Sequence, residues 1–219
     1  MPLSTIGSNQ ITDGAIAVAD VADGSITTAK IADNAVTTAK ITDANITTAK
    51  IADDAVTAAK STGLGISMAQ TWRLTSSFTG SAQPVASNLE ADDTYSQGAI
   101  GSAMTQSSGV FTFPSTGIYL IQAQGEFYFS GDSRYNQFLI EVTTDNSSYN
   151  EAAKSTGGIA QAESSATHTN SSSFYIFDVT NVSTHKVRFT SSTSDSSVSV
   201  YGDTNRNFTC MTFIRLGDT

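Results

Sequence analysis

The chain has 219 residues, with 11 Lys and Arg against 20 Asp and Glu and a formal net charge of −9. That balance argues against nucleic acid as a partner, which would call for a basic patch. One cysteine, Cys210, excludes an intrachain disulfide, and no run approaches the ~20 apolar residues of a membrane-spanning helix.

The first ten residues, MPLSTIGSNQ, lack the basic n-region and apolar stretch of a signal peptide. The expectation is a protein made in a cytoplasm that acts as a soluble or assembled part. Residues 1–10 read as a tip, with Ile6 five residues before the first full repeat.

Residues 11–60 are five tandem decads: ITDGAIAVAD, VADGSITTAK, IADNAVTTAK, ITDANITTAK and IADDAVTAAK. Column one is Ile11, Val21, Ile31, Ile41 and Ile51. Column six is Ile16, Ile26, Val36, Ile46 and Val56. Column three is always Asp, and column ten is Lys from the second block onward. A fixed period means that every unit meets the same burial problem as its neighbour.

A spacing of five fits no regular element. On an α-helix it turns the side chain by about 140°, so no stripe forms. On a strand an odd spacing flips the face. A chain that turns once per block fits better. Asp23-Gly24 and Asp33-Asn34 supply turn chemistry at one place in the block, and Thr27–Lys30 could instead close one helical turn. Two branched aliphatics at about 1.5–3 kcal/mol each do not offset the ordering of ten residues at about 1–2 kcal/mol each. One copy cannot hold the segment alone. Three identical chains wound together would cover each other's aliphatic columns, and this reading is preferred. A one-chain solenoid and a flexible stalk are the alternatives. Pentapeptide-repeat solenoids want a small residue two before each central aliphatic. Ala39 before Ile41 obeys that, but Asn34 before Val36 does not. The lysines partly offset the aspartates, and single aspartates do not cluster as calcium loops do.

Residues 61–67 read as a hinge, with Gly63 and Gly65, and 68–219 as a separate all-β domain. Short β-type runs appear at Gln70–Leu74, Gly109–Phe113, Gly117–Phe129, Gln137–Thr143, Ser173–Val179, Lys186–Thr190, Ser197–Tyr201 and Phe208–Leu216, divided by Gly, Asn, Asp and Ser clusters. In Gly117–Phe129 the apolar Tyr119, Ile121, Ala123, Phe127 and Phe129 alternate with Gln122, Gln124 and Glu126, the period of a strand with one buried side. Asp145–Asn170 and Ser191–Asp195 read as polar loops. Trp72 is expected to anchor the first strand, and Cys210, in the apolar run FTCMTFIRL, to be a buried, inert thiol.

In FTFPSTGIY, Phe111 is followed by Gly117 and, two residues on, Tyr119. This signature resembles the central strand of the C1q/TNF-like domain family, and FTCMTFIRLG is similar to its closing strand. The resemblance covers about residues 68–217. It implies a ten-strand jelly roll that associates as a tight homotrimer, binds protein or glycan partners and is not an enzyme. Decads of the IADxAVTTAK type, after a short tip and before such a head, look like the fibre proteins of tailed bacteriophages, marine ones especially.

The resulting expectation is a non-enzymatic, trimeric virion fibre assembled in the host cytoplasm. Residues 1–10 would dock to other virion proteins, and the head would bind a host-surface receptor or glycan. Three weak heads per fibre would bind through multivalency. Tyr135, Tyr149 and Tyr201, in or beside loops, are the candidate receptor or glycan contacts. The rival reading is a capsid decoration, cement or connector protein with a purely structural role. A third is a glycan-degrading tailspike, which needs a carboxylate pair in a groove. Glu126, Asp132, Glu141 and Asp203 are the acids to consider, and sequence alone does not pair them. No catalytic motif, cofactor motif or zinc spacing is present.

Overall fold

The computed structural model describes residues 16–41, 46–53, 55–56 and 65–219. The chain divides into two units, Met1–Lys60 and Ser61–Thr219. The tip 1–10, Ile11 and residues 61–64 of the expected hinge lie outside the described residues.

In the decads, tight turn and helical turn prove not to be alternatives: each fully described block contains both. In the second block the Ser25 amide donates to the Ala22 carbonyl at 3.0 Å, with Gly24 at φ +74°. In the third, Ala35 donates to Ala32 at 3.0 Å, with Asn34 at φ +62°. Glycine and asparagine take this left-handed position of a turn at least cost. A single turn of 3₁₀-helix follows at Thr28–Lys30, Thr38–Lys40 and Thr48–Lys50, with a further one at Val18–Asp20. Lys30 and Ile31 donate to Thr27 and Thr28 at 2.9 and 3.1 Å, and both distances recur ten and twenty residues later. The ammonium groups of Lys30 and Lys40 donate to the carbonyls of Ser25 and Ala35, each at 2.6 Å. These two lysines therefore bond backbone, not the aspartate column. Asp20, standing where later blocks have lysine, accepts the Ala17 amide at 2.9 Å instead.

The described residues of the second unit form twelve antiparallel strands. They are β1 (Met68–Leu74), β2 (Phe78–Thr79), β3 (Leu89–Ala91), β4 (Thr105–Ser107), β5 (Val110–Thr112), β6 (Gly117–Phe129), β7 (Ser133–Thr143), β8 (Asn150–Ile159), β9 (Thr167–Val179), β10 (Lys186–Thr193), β11 (Ser199–Val200) and β12 (Cys210–Gly217). The resemblance implies ten strands; β2 and β11 are extra two-residue pairings. Sheet I runs β2-β11-β6-β12-β1-β3, with β9 along the other side of β6, and sheet II runs β4-β5-β10-β7-β8. β6 is long enough to pair with β12 over Ile118–Gln124 and with β11 over Phe127–Tyr128 on one side, while β9 matches it from Gly117 to Phe129 on the other.

The segment Asp145–Asn170 is not one polar loop. Asn150–Ile159 is strand β8, and β9 begins at Thr167. The string NEAAKSTGGI carries no apolar alternation because β8 is the edge of sheet II. Its pairing with β7 orders it, and half of its residues are exposed to solvent. Likewise β10 runs on to Thr193, through residues read as loop.

Between the sheets lies an aromatic core. Phe111 packs its ring against Trp72, Phe189 and Phe213 at 5.4, 5.5 and 5.3 Å. Tyr119, Ile121, Ala123 and Phe127 of β6 are fully buried, as the two-residue period requires. Ser171 closes the seam between the sheets. Its hydroxyl donates to the Ser155 carbonyl at 2.7 Å and accepts the Phe138 amide at 3.0 Å. Arg73 is 1% exposed and binds Glu90, Asp92 and Asp93 at 2.8, 2.6 and 2.9 Å, which ties the loop after β3 to β1. Burial opposes its charge, but Glu90, Asp92 and Asp93 outweigh burial and raise its pKa above the ordinary value.

Candidate interaction surfaces

In the decads the aliphatic columns are bare. Val21, Ile31, Ile41 and Ile51 of column one are 39–45% exposed, and Ile16, Ile26, Val36, Ile46 and Val56 of column six are 53–58% exposed. The hydrogen bonds of these turns are local to the decads, and among the described residues both columns stay exposed. Nine large branched side chains left in water at a regular spacing are a surface awaiting cover.

The head carries a second apolar surface, on the side of sheet I that faces away from the core. Register sets it out strand by strand. Ile100 bridges Ala69, Ala69 pairs with Ile214, Ile214 with Leu120, and Leu120 with Ile176. Residues in register share a face, so this is a continuous band about 19 Å wide across five extended segments. Ile100, Ile176 and the adjacent Phe174 are 50%, 56% and 71% exposed. The sequence reading missed this band by treating the second face of β6 as polar. Ile118 and Leu120 precede Gln122 on that face, and they were the available signal.

Of the three candidate tyrosines, none lies with another. Tyr135 is exposed near the start of β7, where its carbonyl accepts the Ser194 amide at 2.9 Å. Tyr149 lies on the outer side of sheet II. Its ring covers the Arg188 guanidinium at 4.1 Å, and burial, offset by Arg188, raises its pKa. Arg188 in turn pairs with the buried Glu141 at 2.8 Å, which also accepts from Thr190 at 2.7 Å and Gln83 at 2.7 Å. Tyr201 belongs to an aromatic group at the far end of sheet I. It stacks on Phe208 at 4.3 Å and meets Tyr128 edge-on at 5.3 Å. Beside it, His168 stacks on Tyr128 at 5.4 Å and its Nδ1 lies 3.0 Å from Glu126.

Of the carboxylates considered for glycoside cleavage, Glu126 and Glu141 are not brought together, while Asp132 accepts the Gln161 amide at 2.8 Å and Asp203 the Asn205 amide at 2.7 Å. Glu126 points outward from sheet I, toward His168 and Asn170, while Glu141 points outward from sheet II into its Arg188 cluster. Among the described residues no group of three or more His, Cys, Asp or Glu could hold a metal ion.

The signature residues are architectural. Phe111 and Tyr119 are fully buried. The Tyr119 hydroxyl donates to the Ser115 carbonyl at 2.9 Å, closing the turn before β6. Gly117 has φ +144°, and a Cβ there would meet Arg215 Nε at 2.4 Å and the Gly217 carbonyl at 2.6 Å, so only glycine fits. Trp72 packs into the core against Phe111. The Cys210 thiol is half-buried, and burial, assisted by the Asp92 charge, pushes its pKa up to about 11.

No protein-family model matches the chain, and no curated protein matches it. Solved structures do. The Eiger TNF of S. frugiperda superposes with a TM-score of 0.52 at 12% identity, over 69% of this chain and 94% of that one. The head is a TNF-like jelly roll. Murine APRIL at pH 5.0 follows with a TM-score of 0.48 at 10% identity, over 68% of this chain and 98% of that one. At 12% identity the likeness to Eiger speaks for the fold alone. The TNF-like head thus buries the signature residues that the sequence singled out and leaves the band on sheet I uncovered.

Proposed function

We propose that this chain is a non-enzymatic, homotrimeric virion fibre. Residues 1–10 dock to other virion proteins, the decads form a three-chain shaft, and the TNF-like head contacts a host-surface receptor or glycan. The observation that carries the reading is the exposure of both aliphatic columns along a segment whose described hydrogen bonds are all local. Self-assembly in parallel register is the simplest cover, because every block then meets its own copy at the same height. The band Ile100–Ala69–Ile214–Leu120–Ile176 supports it independently, since it offers the head a surface through which to meet a second copy. The resemblance of the decads to phage fibres supports the virion setting.

The mass of the full-length protein in solution tests the assembly. Three times the 22.9 kDa chain mass is expected, and a dispersed single chain with ordered decads would overturn it. Host contact is tested separately, by adsorption of labelled full-length protein to cells and by blocking with antibodies to the head. A trimer that neither adsorbs nor is blocked would leave only a structural role on the particle.

A further inference from the structure

At the end of the sandwich where β6 stops and β9 starts, a cleft of about 280 Å³ opens between Tyr128, Phe129, Ser130, Ala166, Ser197 and Ser199. It lies away from the apolar band. Tyr128 is eight residues beyond Leu120 on β6, about 27 Å along the strand. It also lies at the opposite end from the start of β1, because Met68 pairs with Arg215, which pairs with Tyr119.

The lining has a definite chemistry. The Tyr128 ring supplies an aromatic wall on the outer face of β6, where Ser199 pairs with it, while Phe129 packs toward the core. Tyr128 is held in place by Tyr201 edge-on and His168 stacked. Three serines supply hydroxyls. The Ser197 amide is bonded to Asp195 Oδ1 at 2.8 Å, which fixes the loop. Among the described residues no hydrogen bond engages the side-chain hydroxyls of Ser130, Ser197, Ser199 or Tyr128, so four hydroxyl groups stand ready as donors and acceptors. No lining residue carries a formal charge. The nearby Glu126 carboxylate is engaged by His168 and Asn170.

We infer that this cleft binds an uncharged sugar ring. A ring with one apolar face and equatorial hydroxyls matches an aromatic wall flanked by free serine hydroxyls. An anionic sugar finds no cation there and would leave its charge unpaired. The volume, just under the roughly 300 Å³ at which small-molecule sites ordinarily begin, suits one or two sugar units at a chain end. This inference deepens the host-contact reading of the head and rests on it for its biological setting. It places the contact at Tyr128, which Tyr201 holds edge-on from outside the cleft, and not at Tyr135 or Tyr149.

The test uses full-length protein and saturation-transfer NMR. The probes are the methyl glycosides of glucose, galactose and N-acetylglucosamine, the same sugars as end groups on beads, and N-acetylneuraminic acid. Ring-proton transfer to at least one neutral glycoside is expected, with none to the acidic sugar. Ser197→Trp, which fills the cleft from an exposed loop, is expected to weaken binding by about tenfold or more, the scale of one lost good contact. Should that variant fail to fold, Ser199→Ala decides: a several-fold weakening is expected with an unchanged melting temperature. Capture on beads points to surface glycans as the source, and a signal from free glycosides alone points to a soluble sugar. The inference is overturned if no neutral sugar binds, if the acidic sugar binds equally, or if the binding survives the variant that folds. Cell adsorption that persists in Ser197→Trp would sink the cleft while sparing the host-contact reading. Sugar binding without any cell adsorption would do the reverse.

Discussion

The decads and the jelly roll solve the problem of order in opposite ways. In the decads every described backbone bond spans a few residues, lysines 30 and 40 fold back five positions, and no described aliphatic is buried. In the head the bonds join distant strands, Thr71 meeting Thr212 through their hydroxyls at 3.0 Å, and the aromatic core is shut from water. Local bonding makes a shape but supplies little apolar burial, which is the dominant favourable contribution to folding. The head can therefore stand on its own core, while the described decads bury no aliphatic of their own, and on the proposed reading sister chains supply the cover.

That contrast can be broken most severely at the decads. Ile31→Asn combined with Ile41→Asn removes two column-one residues per chain, each contributing about 1.5–3 kcal/mol when covered. The assembled mass should collapse to that of a single chain in sedimentation, while near-ultraviolet circular dichroism of the head stays as it was. If the double variant remains assembled, the decads are not what joins the chains.

In the head the expected loss is one of folding and not of assembly. Arg73→Met leaves Asp92, whose side chain is 3% exposed, buried without its partner. Breaking a buried pair in this way costs about 3–5 kcal/mol, read as a lower denaturant midpoint. A midpoint unchanged from the native protein would mean that the loop after β3 is held by other contacts.

Phe174→Ser probes the boundary between the two behaviours. At 71% exposure the ring contributes little to the folding of one chain. It should weaken self-association by up to about 2 kcal/mol, seen as a raised dissociation concentration at an unchanged melting temperature. The opposite pattern would mean that the band packs within the chain.

The smallest effect concerns Cys210. Its thiol pKa is raised to about 11 in the fold against an ordinary 9.0, so the unfolded chain loses this proton first. The contribution is fully present below pH 9 and is lost as the pH climbs from 9 toward 11. Cys210→Ser should flatten that part of the stability profile, and iodoacetamide should react slowly with the native protein at pH 8. Fast alkylation at pH 8 would contradict a protected thiol.

Much of the architecture was legible wherever a pattern is repeated by close neighbours. The alternation in Gly117–Phe129 placed β6 at its observed bounds, and the spacing of Phe111, Gly117 and Tyr119 pointed to the jelly roll, because buried rings and a glycine in tight contact leave no freedom of residue type. Strand β8 was illegible. An edge strand with a solvated face has no apolar period, and only the pairing of Ser155 with Phe138 and its neighbours reveals it. The sites were least legible of all. Tyr135, Tyr149 and Tyr201 look alike in sequence, yet one lies on a strand start, one on Arg188 and one in an aromatic group.

What the sequence alone determined is the decad: its period, its turn residues at Gly24 and Asn34, and the thinness of what it can bury are properties of ten adjacent residues. What tertiary structure alone decided is which side chains of distant strands share a surface. Ile100, Ala69, Ile214, Leu120 and Ile176 become one band, and Tyr128, Ser197 and Ser199 one cleft, through register between segments far apart in the chain. Hydrogen-bond pairing sets that register, and no local pattern encodes it.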